Sequence, residues 1–226
     1  MRNKQIDLLF KVLLSLQEKG ILKHFILAGS WCMYFYRFYF HKRNPITSLR
    51  TRDVDFFVPN PKSIGTKVDL PVLLKSFGFV IDYRGRQGFI RLMHPEFFVE
   101  FLVQEKGKGI EKAVSLPKLG LNAQALRFLD ILYLDTITLS VKGTKIKLPH
   151  PACFVLHKIL IFTRRPKKEK REKDVKQINI MLDLLRKENK LNSLKKTFIK
   201  LHPKWKQKVI NNLKLLGKDE IIDILQ

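Results

Sequence analysis

Cysteine is scarce in this chain. Only Cys32 and Cys153 occur, far apart and without CxxC or Cys/His spacing, which argues against a zinc site or a disulfide scaffold and fits a reducing compartment. His24, His41, His94, His150, His157 and His202 show no ligand spacing either and read as structural. Acidic side chains are also few: 20 Asp and Glu stand against 44 Lys and Arg, a formal charge of +24. Such an excess attracts polyanions, with nucleic acid, nucleotides and anionic membrane surfaces as the candidates; the plain alternative is a basic composition that serves solubility. No apolar run approaches the ~20 residues of a membrane span. The opening stretch MRNKQIDLLFKVLLSLQEKG is interrupted at helical spacing by Lys11, Glu18 and Lys19, so it has no signal-peptide form. The expectation is a cytoplasmic protein that stays off membranes. Repeats and low-complexity tracts are absent too.

What is present is enough apolar material for a core, 45% of the chain with 11% aromatic, which rules out wholesale disorder. The most informative stretch runs from Leu27 to Val58. Phe25-Ile26-Leu27-Ala28 has strand character and breaks at Gly29-Ser30; the aromatic run Trp31–Phe40 follows and reads as a buried helix. After a turn around Asn44-Pro45, the chain enters a second strand, Asp53–Val58. Side chains alternate across a strand, so Asp53 and Asp55 share one face while Val54 and Phe56 take the other. Two such carboxylates repel, and a divalent cation between them relieves the repulsion. A helix starting at Ser30 would direct free N–H groups and the positive end of its dipole at an anion.

The remaining elements follow from periodicity. Residues 5–19 form an amphipathic helix ended by Gly20, and Leu70–Phe77 a short helix ended by Gly78. Phe79–Tyr83 and Phe89–Met93 make a hairpin with a basic tip, and Phe97–Val103 is the strongest strand signal, with the single charge Glu100 in its middle. Gly107-Lys108-Gly109 opens a flexible connection, and residues 126–148 carry alternating strand segments. Pro149-His150-Pro151 marks a boundary before helices over Ala152–Phe162, 174–186 and 190–225. The organisation expected is therefore an α+β domain over residues 1–148 and a helical domain over 149–226.

A carboxylate inside FFVEFLV costs several kcal/mol unless exposed, paired or metal-bound. Asp53, Asp55 and Glu100, on two strands expected to lie near each other and facing a helix N-terminus, make the arrangement that two-metal phosphoryl transfer requires. The alternative is that Asp53 pairs with Arg50 or Arg52 and Glu100 lies on a solvated face. Arg164–Lys176 holds eight Lys and Arg against Glu169, Glu172 and Asp174, and 186–218 adds eleven against Glu188 alone. Solvation explains the first run; the one-sidedness of the second favours polyanion binding.

The order AGSW, RTRDVDFFV, VEFLV resembles the DNA polymerase β-type nucleotidyltransferase superfamily. With LPHPACFVLHKIL and KREKDVKQI added, residues 21–185 are similar to stand-alone prokaryotic nucleotidyltransferase-like proteins related to abortive-infection toxins of toxin–antitoxin pairs. The spacer of 22 residues between Ser30 and Asp53 is longer than in minimal members, and Glu100 stands where many relatives carry Asp. The resemblance implies a nucleotidyltransferase fold, a short mixed sheet with flanking helices plus a C-terminal helical domain. It implies NMP transfer from an NTP to an acceptor hydroxyl, releasing pyrophosphate, and an antitoxin as a possible partner. Basicity favours RNA, tRNA in particular, as acceptor, with a protein hydroxyl or a small molecule still open. A non-catalytic nucleic-acid-binding protein on the same fold is the rival reading. Gly29 and Ser30 would hold the triphosphate, and Asp53, Asp55 and Glu100 would hold Mg²⁺ or Mn²⁺. Arg50 or Arg52 would meet phosphate, as would Lys158, and Asp174 matches a second acidic position. Lys158 as an exposed residue of an amphipathic helix is the alternative. Apart from the resemblance, the run Arg164, Arg165, Lys167, Lys168, Lys170 and Arg171 is most simply a solvated loop and helix start, its functional alternatives being a grip on an RNA backbone or a clamp on triphosphate.

Overall fold

The computed structural model describes residues 2–42, 46, 51–105 and 113–226. The Asn44-Pro45 turn, Arg50 and the Gly107-Lys108-Gly109 connection lie outside them. The chain forms two compact units, residues 1–129 with 137–148, and residues 130–136 with 149–226. Among the described residues no helix is long and apolar enough to cross a membrane.

The first unit begins with α1 (Arg2–Glu18), β1 (Ile26–Ala28), a 3-10 turn over Gly29–Trp31, α2 (Cys32–Tyr39) and β2 (Asp53–Phe57). It continues through α3 (Leu70–Lys75), β3 (Val80–Arg84), β4 (Phe89–Met93), β5 (Phe98–Gln104), β6 (Ala113–Leu116) and β7 (Leu121–Leu126), then the hairpin β8 (Thr136–Val141) and β9 (Thr144–Pro149). Seven strands form one mixed sheet in the order β1-β2-β5-β4-β3, with β7 pairing both β5 and β6. β5 is its axis. It runs parallel to β2 on one side, and on the other its first half meets β4 antiparallel and its second half meets β7 parallel. Asn122 closes the fork between those two neighbours, accepting from Ile90 N at 2.8 Å and donating to Gly88 O at 2.9 Å.

The alternation anticipated for β2 is what buries it on one side. Val54 and Phe56 are fully buried, whereas Asp53 and Asp55 keep partial access to solvent. Phe56 stacks on Phe101 of β5 at 5.7 Å between centroids, and Phe25 meets both rings at 5.8 and 5.4 Å. Gln5 of α1 fixes the entrance to both strands by donating to Thr51 O and Glu96 O. α2 is buried from Cys32 to Tyr36, and Cys32 is a core residue whose thiol reaches Leu27 O.

The second unit is helical: α4 (Pro151–Ile161), α5 (Lys168–Lys187), α6 (Leu191–Ile199), α7 (Pro203–Leu215) and α8 (Asp219–Leu225). The single helical stretch anticipated over 190–225 is thus three helices. His202 caps α7 by accepting from Lys204 N, with Pro203 in its first turn, and Gly217 at φ +62 ends it in the left-handed region. α5 starts six residues earlier than the expected 174, and β6 and β7 precede the segments expected from 126 onward. α4 is apolar on nearly every side because α5, α6 and α7 all pack on it, and Asn212 of α7 donates to Ile159 O at 2.6 Å.

The Phe25, Phe56 and Phe101 cluster backs the strand pair that carries the acids. Phe101→Ala is expected to cost about 3–5 kcal/mol of unfolding free energy, measured by urea titration.

Candidate active site

Strand register assembles the acidic face. Asp55 on β2 is the direct partner of Glu100 on β5, and Asp53 is the partner of Phe98. On the other side of Asp55 lies Ala28, the last residue of β1. Glu100 in turn partners Arg91 of β4, and Arg91 partners Asp82 of β3. Residues paired across neighbouring strands point to the same face. One row therefore crosses five strands: Ala28, Asp55, Glu100, Arg91, Asp82.

The Gly29-Ser30 turn is built against this row. Gly29 has φ +66, and a Cβ placed there would stand 2.0 Å from Asp55 Oδ2. Only glycine permits both the left-handed backbone and that approach. Ser30 follows in the 3-10 turn that leads into α2, and Cys32 N donates to Gly29 O and Ser30 O. Arg52, which precedes β2, is exposed, and its guanidinium donates to Pro95 O at 2.8 Å.

Charge is concentrated on this face. Burial, then Asp55, then Asp53 push the Glu100 carboxyl up to about 7, against the opposing pull of Arg91 and Arg84. Carboxylate oxygens are the right donors for a hard divalent cation, and their mutual repulsion is what such an ion relieves. Among the described residues, no three His, Cys, Asp or Glu side chains already cluster as a ready metal cage. The fit is thus one of donor chemistry and adjacency rather than of a closed coordination shell.

Lys158 and Asp174 belong to the second unit. Lys158 lies on α4 and is 4% exposed, so it does not occupy an exposed helix position. Its Nζ donates to Asp174 Oδ1 at 2.5 Å, and Arg165 Nε donates to Asp174 Oδ2 at 2.7 Å. Burial alone would raise the Asp174 carboxyl, but Lys158 and Arg165 outweigh it and hold it below the usual range. Desolvation, aided by Lys158 and Arg165, pushes the His157 imidazole down to about 3, which keeps it neutral. Arg164, Lys167, Lys168, Lys170 and Arg171 are exposed. Arg165 is partly withdrawn from that basic run by its bond to Asp174.

Sequence reasoning passed over Arg91 and Asp82. Their pairing is a strand-register fact, and the signal for it was the placement of opposite charges nine residues apart on the two arms of a hairpin.

Two outcomes follow. A folded-state Glu100 titrating near 7 binds more protons than the unfolded chain between about pH 4.5 and 7, so its burden on stability appears as pH rises through that window. Glu100→Gln is expected to raise Tm at pH 8 in EDTA and to leave it near wild type at pH 4.5, by scanning calorimetry. Lys158→Met, which breaks a buried pair, is expected to cost about 3 kcal/mol, since Arg165 still covers Asp174. The double variant Lys158→Met/Asp174→Leu should recover part of that loss in urea titration.

Comparison with known proteins agrees with this architecture. A family model described as "Nucleotidyltransferase" matches residues 8–200. Among solved structures, an antigenic nucleotidyltransferase-like protein from Paracoccidioides brasiliensis matches at TM-score 0.51 and 17% identity, over 96% of this chain and 91% of that one. At that identity the likeness shows the fold. A structure of ANT(2″)-Ia in complex with adenylyl-2″-tobramycin matches at TM-score 0.46 and 9% identity, over 80% of this chain and 90% of that one. No curated protein matches the sequence. With a mixed sheet, flanking helices and a family match over most of its length, the chain belongs to the nucleotidyltransferase family and is an enzyme of that class.

Proposed function

We propose that this enzyme transfers a nucleoside monophosphate from an NTP to an acceptor hydroxyl, releasing pyrophosphate, with RNA, tRNA in particular, as the favoured acceptor. The observation that carries the reading is the adjacency of Asp55, Glu100 and Gly29, set by two strand ladders and one close backbone approach. Asp53, Asp55 and Glu100 would hold Mg²⁺ or Mn²⁺, which when bound supplies charge neutralisation at the phosphates and acidifies the acceptor hydroxyl.

The chain's own residues then have distinct tasks. Gly29 and Ser30 offer backbone to the triphosphate where a side chain would collide with Asp55. The acceptor oxygen forms a bond to the α-phosphorus, the α–β bridging P–O bond breaks, and pyrophosphate leaves with that electron pair. Glu100, directly across the ladder from Asp55, is the carboxylate to take the acceptor proton. In the second unit, Lys158 and Arg165 share the one carboxylate of Asp174. Lys158 is buried and holds Asp174 in place, so Arg165, a third exposed, and the exposed Arg164, Lys167 and Lys168 are the better contacts for phosphate.

The preference for RNA rests on charge placement. Lys167, Lys168, Lys170 and Arg171 are exposed at the start of α5. Cations at a helix N-terminus oppose the helix dipole, so this end of α5 combines two sources of positive potential. A phosphate backbone satisfies both. Cytoplasmic placement goes with this reading. A toxin role with an antitoxin partner stands on the sequence resemblance and is tested by growth arrest on expression that a neighbouring gene relieves.

The test of the reaction is transfer of label from each α-labelled NTP, with Mg²⁺ or Mn²⁺, into total RNA and total protein. Asp53→Asn and Asp55→Asn are expected to reduce transfer by at least about 10²–10³-fold with Tm at or above wild type. Full activity in both variants would remove these residues from the site. Label entering protein but not RNA would replace the acceptor class. No label at all, with RNA binding that is steep in salt and indifferent to Asp53→Asn, would favour a nucleic-acid-binding role.

A further inference from the structure

Arg91 lies beside the proposed site, and its bonds point away from it. Its Nε and Nη2 both donate to Asp82 Oδ2, at 3.1 and 2.6 Å. The guanidinium also sits 4.2 Å from the centre of the Phe98 ring, the residue opposite Asp53. Its side chain is 13% exposed and that of Asp82 39%, so the outer partner is wet and the cation itself mostly dry. Yet the register makes Glu100 its direct neighbour on β5. Held by two bonds and an aromatic face, the cation stands next to an acid with which it forms no ion pair.

We infer that Arg91, gripped by Asp82, is a positioning residue: a fixed counter-charge that steadies the acidic face while leaving Glu100 open to a divalent cation. This rests on reading Asp53, Asp55 and Glu100 as the cation-holding face. A mobile cation at Arg91 would pair with Glu100 and compete with the metal; an absent one would leave three acids with less to balance them. Asp82 then acts on the site through Arg91, so Asp82→Asn should shift cation affinity no further in an Arg91→Met background. The simpler role, a cross-strand charge pair that only adds to sheet stability, moves Tm but not affinity for a cation.

The experiment reads the thermal midpoint of the full chain against MgCl₂ concentration at pH 8, without nucleotide. Arg91→Met is expected to lower the half-saturating MgCl₂ concentration, because one repelling charge is gone. Asp82→Asn is expected to raise it, because the freed guanidinium turns to Glu100. Each shift should be about threefold or more. Arg86→Met, which removes an exposed charge from the same hairpin that is not among those acting on Glu100, should leave it near wild type. Arg91→Gln carries the same expectation as Arg91→Met if the latter does not fold. Midpoints that coincide with wild type in both Arg91 and Asp82 variants, or that move the same way, overturn the inference while leaving the metal site standing. A wild-type chain whose midpoint ignores MgCl₂ overturns the site reading and this inference with it.

Discussion

The parallel ladder between β2 and β5 is the constraint on which the rest of the first unit depends. Its register decides that Asp55 faces Glu100, and a slip of one residue would send the acids into the core and the phenylalanines into solvent. What prevents the slip is the other face of the same two strands. Val54, Phe56, Val99 and Phe101 are buried there, and Phe25 closes over two of the rings. Apolar burial of that kind, roughly 1.5–3 kcal/mol per large side chain, is what affords the repulsion on the acidic face. Hydrophobic packing and the proposed chemistry are two sides of one pair of strands.

Each unit handles buried charge in its own way. In the second, Lys158 and Asp174 neutralise one another directly inside the helix layer, with Arg165 as a further donor. Such a pair is demanding: removing either partner leaves a desolvated charge. In the first, the acids of Asp53, Asp55 and Glu100 are half-buried, and the nearby cation is bonded elsewhere. Burial first, then the neighbouring Asp55 and Asp53, raise the Glu100 carboxyl. A structural polar network would be expected to close on itself, as the one in the second unit does. In the first unit Arg91 is turned to Asp82 and not to its neighbour Glu100, which suits Glu100 to receiving a cation.

Much of this could be read from the residues. Period-two alternation in RTRDVDFFV and FFVEFLV placed the acids on one face, and Gly29-Ser30 stood out as a break after a strand. Three features were not legible. The approach of Gly29 to Asp55 depends on the antiparallel pairing of β1 with β2, which local pattern does not encode. Arg91 looked like one charge among many in a basic hairpin; only the ladder order β5-β4-β3 puts it between Glu100 and Asp82. Lys158, surrounded by apolar neighbours in PACFVLHKILI, was compatible with a surface stripe because its partner lies sixteen residues away on another helix. The long C-terminal stretch misled for a different reason: lysines and leucines keep helical periodicity through Pro203 and Gly217, where the backbone cannot continue.

The central claim is that Asp53, Asp55 and Glu100 form a face that takes a divalent cation together with an NTP. Binding of Mn²⁺, followed by loss of its free-ion electron paramagnetic resonance signal in the presence of a non-hydrolysable NTP analogue, tests this most directly. The account predicts saturable binding by the wild-type chain, lost in Asp55→Asn and weakened in Glu100→Gln. Binding that is unchanged in both variants would contradict it.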